Sequence, residues 1–216
     1  MLLPSSLKRF CAELRGKPVV ELKTVKREIR IAGVDDAPLV TKRAKRVDIF
    51  GVVYRGGYWF DGLMRSDVEV DGIDATERIA QMILMSRHFK QLRITMLHGL
   101  TFAGMNIVNL KTLYDMTQLP TIVVMDRKPR IANFEEAIEK LENSQLRKTA
   151  LNAAGEITQI RTKLNAKPIY VQFIGLKLDQ LKEVMNVSCT KSRLPESIRV
   201  AHMIASTGEI PKRLNS

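Results

Sequence analysis

Three kinds of residue in this chain are suited to chemistry on a charged substrate: carboxylates closing apolar runs, a histidine in a similar place, and basic residues in short loops. Asp35 and Asp36 close the run Ile31 to Val34. A carboxylate at the mouth of a buried strand is costly unless it binds a metal, a cation or several hydrogen-bond donors. Neighbouring strand side chains point to opposite faces, so one of the two reads as functional and the other as structural. The competing account is a salt bridge, or a turn cap before Ala37-Pro38. His98 follows the run Arg93 to Leu97 and precedes Gly99, where a polar side chain can face a ligand crevice. Asp71, Asp74 and Glu77 stand where a strand gives way to a helix. Capping accounts for Glu77. Asp71 or Asp74 could join Asp35 in a divalent-metal site, because Mg²⁺ commonly takes only one or two protein carboxylates beside phosphate and water. Such a site suits hydrolysis of a phosphodiester.

Basic residues could supply the rest. Arg127 and Lys128 follow the run Thr121 to Met125 and could hold a phosphate or stabilise developing negative charge; a solvated strand end is the alternative. Lys42, Arg43, Lys45 and Arg46 lie in a segment without apolar periodicity, read as an exposed basic loop. Tyr54, Tyr58 and Trp59 flank a turn at Arg55-Gly56-Gly57. Aromatics amid basic residues suit stacking on bases, although alternate strand aromatics also serve as core. Arg199 and His202 share one face of a C-terminal helix.

The 216 residues suit one ordinary domain, or one domain with an appendage. Lys and Arg outnumber Asp and Glu by 35 to 23, for a formal charge of +12. That balance favours a polyanionic partner, nucleic acid before an anionic membrane surface. Cys11 and Cys189 are too few and too far apart for a metal motif or a disulfide framework. No stretch approaches the roughly 20 apolar residues that span a bilayer, and the N-terminal residues do not pattern as a signal peptide. The expectation is a cytoplasmic protein that engages no membrane.

Several elements must position these residues. Residues 5–15 read as an amphipathic helix. Ile31 to Val34 is a buried strand, and residues 47–70 form two more strands around the glycine turn, giving an antiparallel meander. Asp74 is expected to cap a helix, with Glu77 as its capping-box partner. Strand RITML, a helix from about 109 to 117, strand TIVVM, a helix capped by Asn133, a peripheral helical stretch over 143–166, strand PIYVQFI and two closing helices follow. The fold class is therefore α/β, with a mixed five-stranded sheet (antiparallel strands 1–3, then helix-linked strands) flanked by helices. This is a ribonuclease-H-like order of elements. The expected division is a helical extension over 1–27, the main domain over 28–206 and a tail over 207–216.

The segments GVDDAP, VYRGGYWFDG, VEVDGIDATERIA, TFAGMNIVNL, PTIVVM and RLPESIRVAHMIAS together resemble the archaeal endonuclease dU family, which is related to endonuclease V. The resemblance implies a ribonuclease-H-like fold and a Mg²⁺- or Mn²⁺-dependent endonuclease acting on nucleic acid with deaminated bases, DNA in preference to RNA, with a place in DNA repair. It sets Asp35 at the first metal-binding aspartate, Asp74 or Asp71 near the acidic residue before the first helix, and Arg127 or Lys128 where endonuclease V keeps a lysine. RLPESIRVAH resembles the endonuclease V C-terminal segment. Three places depart from the pattern. His98-Gly99 replaces an Asp-Gly pair, Gly175-Leu176-Lys177 replaces a Gly-His-Arg, and no Pro-Tyr-Ile-Pro wedge lies between Val68 and Asp74. Imidazole suits Mn²⁺, Zn²⁺ or Ni²⁺ better than Mg²⁺. His98 thus reads as an altered metal ligand, a general acid or base, or the mark of lost catalysis. In the last case the chain would be a non-catalytic nucleic-acid-binding protein with the same fold.

Overall fold

A computed structural model describes residues 22, 24–39, 44–162 and 167–209. The helix expected over 5–15, the basic-loop residues Lys42 and Arg43, and most of the 207–216 tail lie outside these residues. In chain order the strands are β1 (Arg30–Asp36), β2 (Arg46–Arg55), β3 (Trp59–Glu69), β4 (Ile94–His98), β5 (Thr101–Phe102), β6 (Asn106–Ile107), β7 (Thr121–Met125), β8 (Thr158–Ile160) and β9 (Ile169–Ile174). The helices are α1 (Ala75–Leu84), α2 (Leu110–Thr117), α3 (Ile131–Glu139), α4 (Ser144–Ala153), α5 (Leu178–Ser188) and α6 (Glu196–Ala205).

Seven strands form one mixed sheet in the order β3-β2-β1-β4-β7-β9-β8, and β5 pairs with β6 in a separate small hairpin. The first three strands are the expected antiparallel meander. β1, β4 and β7 run parallel, so their carboxyl ends fall together. The sheet has seven strands where five were expected. β9, the expected strand PIYVQFI, adds antiparallel to β7, and β8, which was not expected, then adds to β9. β8 comes from within 143–166, which is not one helical stretch: α4 stops at Ala153 and the chain turns through Gly155 at φ 72° into the strand. Three residues are too short to show a strand period. α3 begins at Ile131 after Arg130, so Asn133 lies inside the helix rather than capping it.

The near-continuous apolar runs of β1, β4 and β7 follow from cover on both faces. One layer joins Ala32, Val34 and Leu97 to Ile79 and Ile83 of α1 and Leu110 and Leu113 of α2. The other joins Ile31, Ile94, Met96 and Ile122 to Leu181 and Val184 of α5 and Ile198 of α6. Each such fully buried side chain contributes roughly 1.5–3 kcal/mol. One glycine decides how close α6 comes. A Cβ on Gly33 would stand 2.4 Å from the carbonyl carbon of Ser197, so only glycine lets α6 lie directly on β1.

Candidate metal centre

Gly33 and the parallel register together assemble the site. Val34 pairs with Leu97, and His98 with Val124, which brings Asp35 beside His98 at the carboxyl end of the sheet. α6, seated on β1, adds His202. The Asp35 side chain is only 5% exposed. Its Oδ2 lies 2.8 Å from Nδ1 of His98 and 2.8 Å from Nδ1 of His202, and the two rings meet edge to face with centroids 5.2 Å apart. The ligand-capable atoms of Asp35, His98 and His202 all lie within 4.8 Å of one another. A cleft of about 480 Å³ opens over them, walled also by Asp36, Pro38 and Ser206. His202 is 58% exposed on its solvent side, so positions remain open to solvent and substrate.

Electrostatics follow from burial. Asp36 turns from the histidines and accepts the Ala103 N–H at 2.7 Å. Burial pushes its carboxyl up to about 6, opposed by that N–H and reinforced by the charge of Asp35. Burial disfavours the His98 imidazolium. The hydrogen bond and charge of Asp35, with the charges of Asp126 and Asp36, outweigh it and hold His98 above its usual value. Asp126 ends β7 and is itself paired with Arg193 at 2.7 Å, which ties the strand end to the segment leading into α6.

One carboxylate and two imidazoles form a donor set suited to Mn²⁺, Zn²⁺ or Ni²⁺. Mg²⁺ favours an oxygen shell. Of the two ions expected from sequence, these residues therefore fit Mn²⁺ and fit Mg²⁺ poorly.

The structure does not bring Asp71 or Asp74 into this cluster. Asp74 precedes α1, but its carboxylate makes no capping bond to the helix. It accepts from the Glu69 N–H (3.0 Å), Asn106 Nδ2 (2.7 Å) and Arg46 (3.0 Å). Asn106 Oδ1 instead receives the Ala75 N–H at 2.9 Å, so no capping box forms. Asp71 holds a left-handed turn at φ 50°, and its carboxylate accepts the Met105 N–H at 2.8 Å. The buried Arg147 closes this region by donating to the carbonyls of Asp71, Gly72, Met105 and Glu142. Both aspartates thus staple the β3–α1 connection to the β5–β6 hairpin.

Arg127 and Lys128 are exposed just past β7, at the same end of the sheet as the cluster. Lys45 is exposed near that end too, while Arg46 is committed to Asp67 and Asp74. Tyr58 and Trp59 lie elsewhere. Arg30 pairs with Arg55, and Asp36 with Ile49, so the β2–β3 turn stands at the opposite end of β1 from Asp35. Both aromatics are more than half exposed, and Arg27 lies over the Tyr58 ring at 5.5 Å. Sequence reasoning noted His202 only as a helix-face neighbour of Arg199. Arg199 is in fact held by Glu196 at 2.7 Å. His202 lies about one helical turn after Ser197 and Ile198, the residues that Gly33 meets, a relation that only the packed structure reveals.

A family model described as endonuclease dU matches residues 27–208. A UPF0215 protein of Methanosarcina acetivorans is 42% identical over 182 residues, 84% of this chain and 91% of its own length. One from Methanopyrus kandleri is 40% identical over 187 residues, 87% and 94% respectively. The crystal structure of a protein of unknown function from Archaeoglobus fulgidus matches with a TM-score of 0.75 at 33% identity, covering 83% of this chain and 97% of that one. Endonuclease V of Ciona intestinalis, crystallised with a 24mer DNA containing an inosine followed by a ribo-adenosine, matches with a TM-score of 0.58 over 96% of this chain and 98% of that one. At 18% identity the likeness is one of fold.

Proposed function

This chain belongs to the endonuclease dU family, and from that premise we propose that it is a metal-dependent endonuclease of ribonuclease-H-like fold that cuts DNA at deaminated bases. The observation that carries the reading is the convergence of Asp35, His98 and His202 under an open cleft at the carboxyl ends of parallel strands. Mn²⁺ is the cofactor that this donor set favours over Mg²⁺. When bound, it supplies Lewis acidity toward a phosphodiester and a water of lowered pKa. Asp35 would hold the ion with its one charge, and His98 and His202 would add neutral imidazole nitrogens; because a ligating imidazole must be unprotonated, metal affinity should rise with pH. Asp36, poised near pH 6, is placed to exchange a proton at the cleft wall. Arg127 and Lys128 steady the backbone phosphates. The net charge of +12 favours a polyanionic duplex as partner, and exposed Lys45 adds to the basic residues at this end. DNA serves in preference to RNA, the setting is repair, and the site of action is the cytoplasm. Among the described residues no helix is long and apolar enough to cross a membrane.

The test is nicking of a duplex with one deoxyuridine or deoxyinosine, in Mn²⁺, in Mg²⁺ and in chelator. Nicking in Mn²⁺ that chelator abolishes is the expected result. Intact substrate in every metal, with binding that weakens steeply with salt, would replace the enzyme by a non-catalytic nucleic-acid-binding protein. One observation favours that second reading: the Nδ1 atoms of His98 and His202 both lie within hydrogen-bond distance of Asp35 Oδ2, so the buried carboxylate has partners without a metal.

A further inference from the structure

The two edges of the sheet are finished differently. β8 is three residues long, and a short edge resists pairing with another chain. β3 is eleven residues long and pairs on one side only, with β2. Two bonds fix where its other main-chain groups point. The Ala37 N–H donates to the Asp48 carbonyl and the Val70 N–H to the Lys45 carbonyl. Asp48, opposite Asp67, therefore turns its main chain toward β1, and Val70 turns its own toward β2. Direction alternates along an antiparallel ladder, so Leu63, Arg65, Asp67 and Glu69 aim their main-chain groups away from the sheet. The chain closes the far half of that edge itself. Arg46 and Arg78 donate to the Asp67 carbonyl, and Asp74 accepts the Glu69 N–H. Leu63 and Arg65 have no such cover among the described residues. Leu63 is 50% exposed. Beside it a groove of about 580 Å³ runs between β3 and α1, with Met82 and Met85 on its walls and no carboxylate among its lining residues. Met85 is 79% exposed.

We propose that this open half of β3 is a self-pairing edge, by which two copies of the chain join antiparallel about a twofold axis at Leu63 and merge their sheets. A twofold contact must complement itself, and the strand does so in one register. Residues directly opposite across an antiparallel pair share a face, with Cβ atoms about 4.5–5.5 Å apart. An axis at Leu63 sets Leu63 on Leu63 and brings Arg65 alongside Asp61 of the other copy, the residue that a bulge opposite Val53 and Tyr54 leaves out of the β2 register. An axis at Met64 sets Asp61 against Asp67, and one at Arg65 sets two arginines together. Leu63, with outward main-chain groups, exchanges both hydrogen bonds with its counterpart. Asp61 already holds Arg30 (3.0 Å) and Arg55 (3.3 Å), and Arg65 holds Asp48 (2.7 Å). The new contacts therefore join these three existing ion pairs into a network across the axis. Met85 and the groove give the second copy's strand an apolar wall.

Sedimentation over a wide concentration range, with cysteine cross-linking, tests this. The wild-type chain sediments as a dimer whose melting midpoint rises with protein concentration, and Leu63→Lys as a folded monomer that melts cooperatively at a midpoint independent of concentration. In a Cys11→Ser background, Leu63→Cys oxidises to a linked dimer. Arg65→Cys does not, because its two copies stand four residues, about 13 Å, apart along the strands, beyond disulfide reach. A wild-type chain that stays monomeric, a dimer that survives Leu63→Lys, or equal cross-linking at both positions would overturn the proposal. None of these readouts depends on nuclease activity.

Discussion

The two ends of the central strands are made of similar residue types put to different uses. At the carboxyl end of β1, β4 and β7, Asp35 is buried with two histidines on one oxygen, burial raises the pKa of Asp36, and a cleft opens above. At the other end, Tyr58 and Trp59 stand exposed on a hairpin turn, and the carboxylate of Asp61 is satisfied by Arg30 and Arg55. In the sequence, the basic loop before β2 and the aromatics after it look like one nucleic-acid surface. β2, ten residues or about 33 Å long, holds Lys45 before it apart from Tyr58 and Trp59 after it. Burial with unusual pairing marks the end of the candidate metal centre, whereas exposure with ordinary pairing marks the other.

That contrast can be broken or sharpened. Asp35→Ala removes the only charged ligand of the cluster and should reduce Mn²⁺-dependent nicking by more than about 100-fold, beyond what loss of an outer-shell partner costs; wild-type rates in single-turnover assays would empty the carboxyl end of its chemistry. His98→Asp restores a hard oxygen donor. It should shift the Mg²⁺-to-Mn²⁺ activity ratio toward Mg²⁺ by roughly tenfold, read as initial rates in each metal.

Asp36→Asn acts through pH. The folded pKa near 6 lies above the ordinary 3.8, so the native state binds the extra proton in that window. Stability of the metal-free protein therefore falls as pH rises from about 4 to about 6, by at most about 3 kcal/mol. The asparagine variant keeps the acceptor for the Ala103 N–H and has no charge to bury. Its denaturation midpoint should be flat across the window and higher than wild type above it; a parallel decline in both proteins would remove Asp36 from the account.

Gly33→Ala forces α6 off β1 and should cost about 2 kcal/mol by overpacking, while separating the His202 ring signals from those of His98 in NMR spectra. Trp59→Ala is the smallest perturbation. Nicking should change by less than about twofold, because stacking worth roughly 1–3 kcal/mol per base would act only if the substrate reached that end. A tenfold loss would show that one substrate spans both ends.

The strands were legible where the chain is apolar and long. Ile31–Val34, RITML and TIVVM each appear where their composition puts them. β8 was not legible, because Thr158–Ile160 is stabilised by pairing with β9 and has no pattern of its own. Asp35 and His98 were legible as candidates because each closes its own buried strand. Asp71 and Asp74 look equally functional in the sequence. Their carboxylates are occupied by N–H donors from Met105, Glu69 and Asn106, partners that no local pattern specifies. Arg147 reads as one cation among many in a basic stretch, yet it is buried and holds four carbonyls of three segments.

By itself the sequence determined the membership of this chain in its family, the strands of its centre and the two residues at their mouths, because strand pattern and terminal position are local properties. The tertiary structure decided that His202 completes the cluster, that Asp71 and Asp74 are staples, and that the aromatics lie at the far end. Those outcomes rest on strand register and on the close seating of α6 at Gly33, which depend on contacts between residues distant in the chain. His202 and Asp35 are 167 positions apart and 2.8 Å from each other.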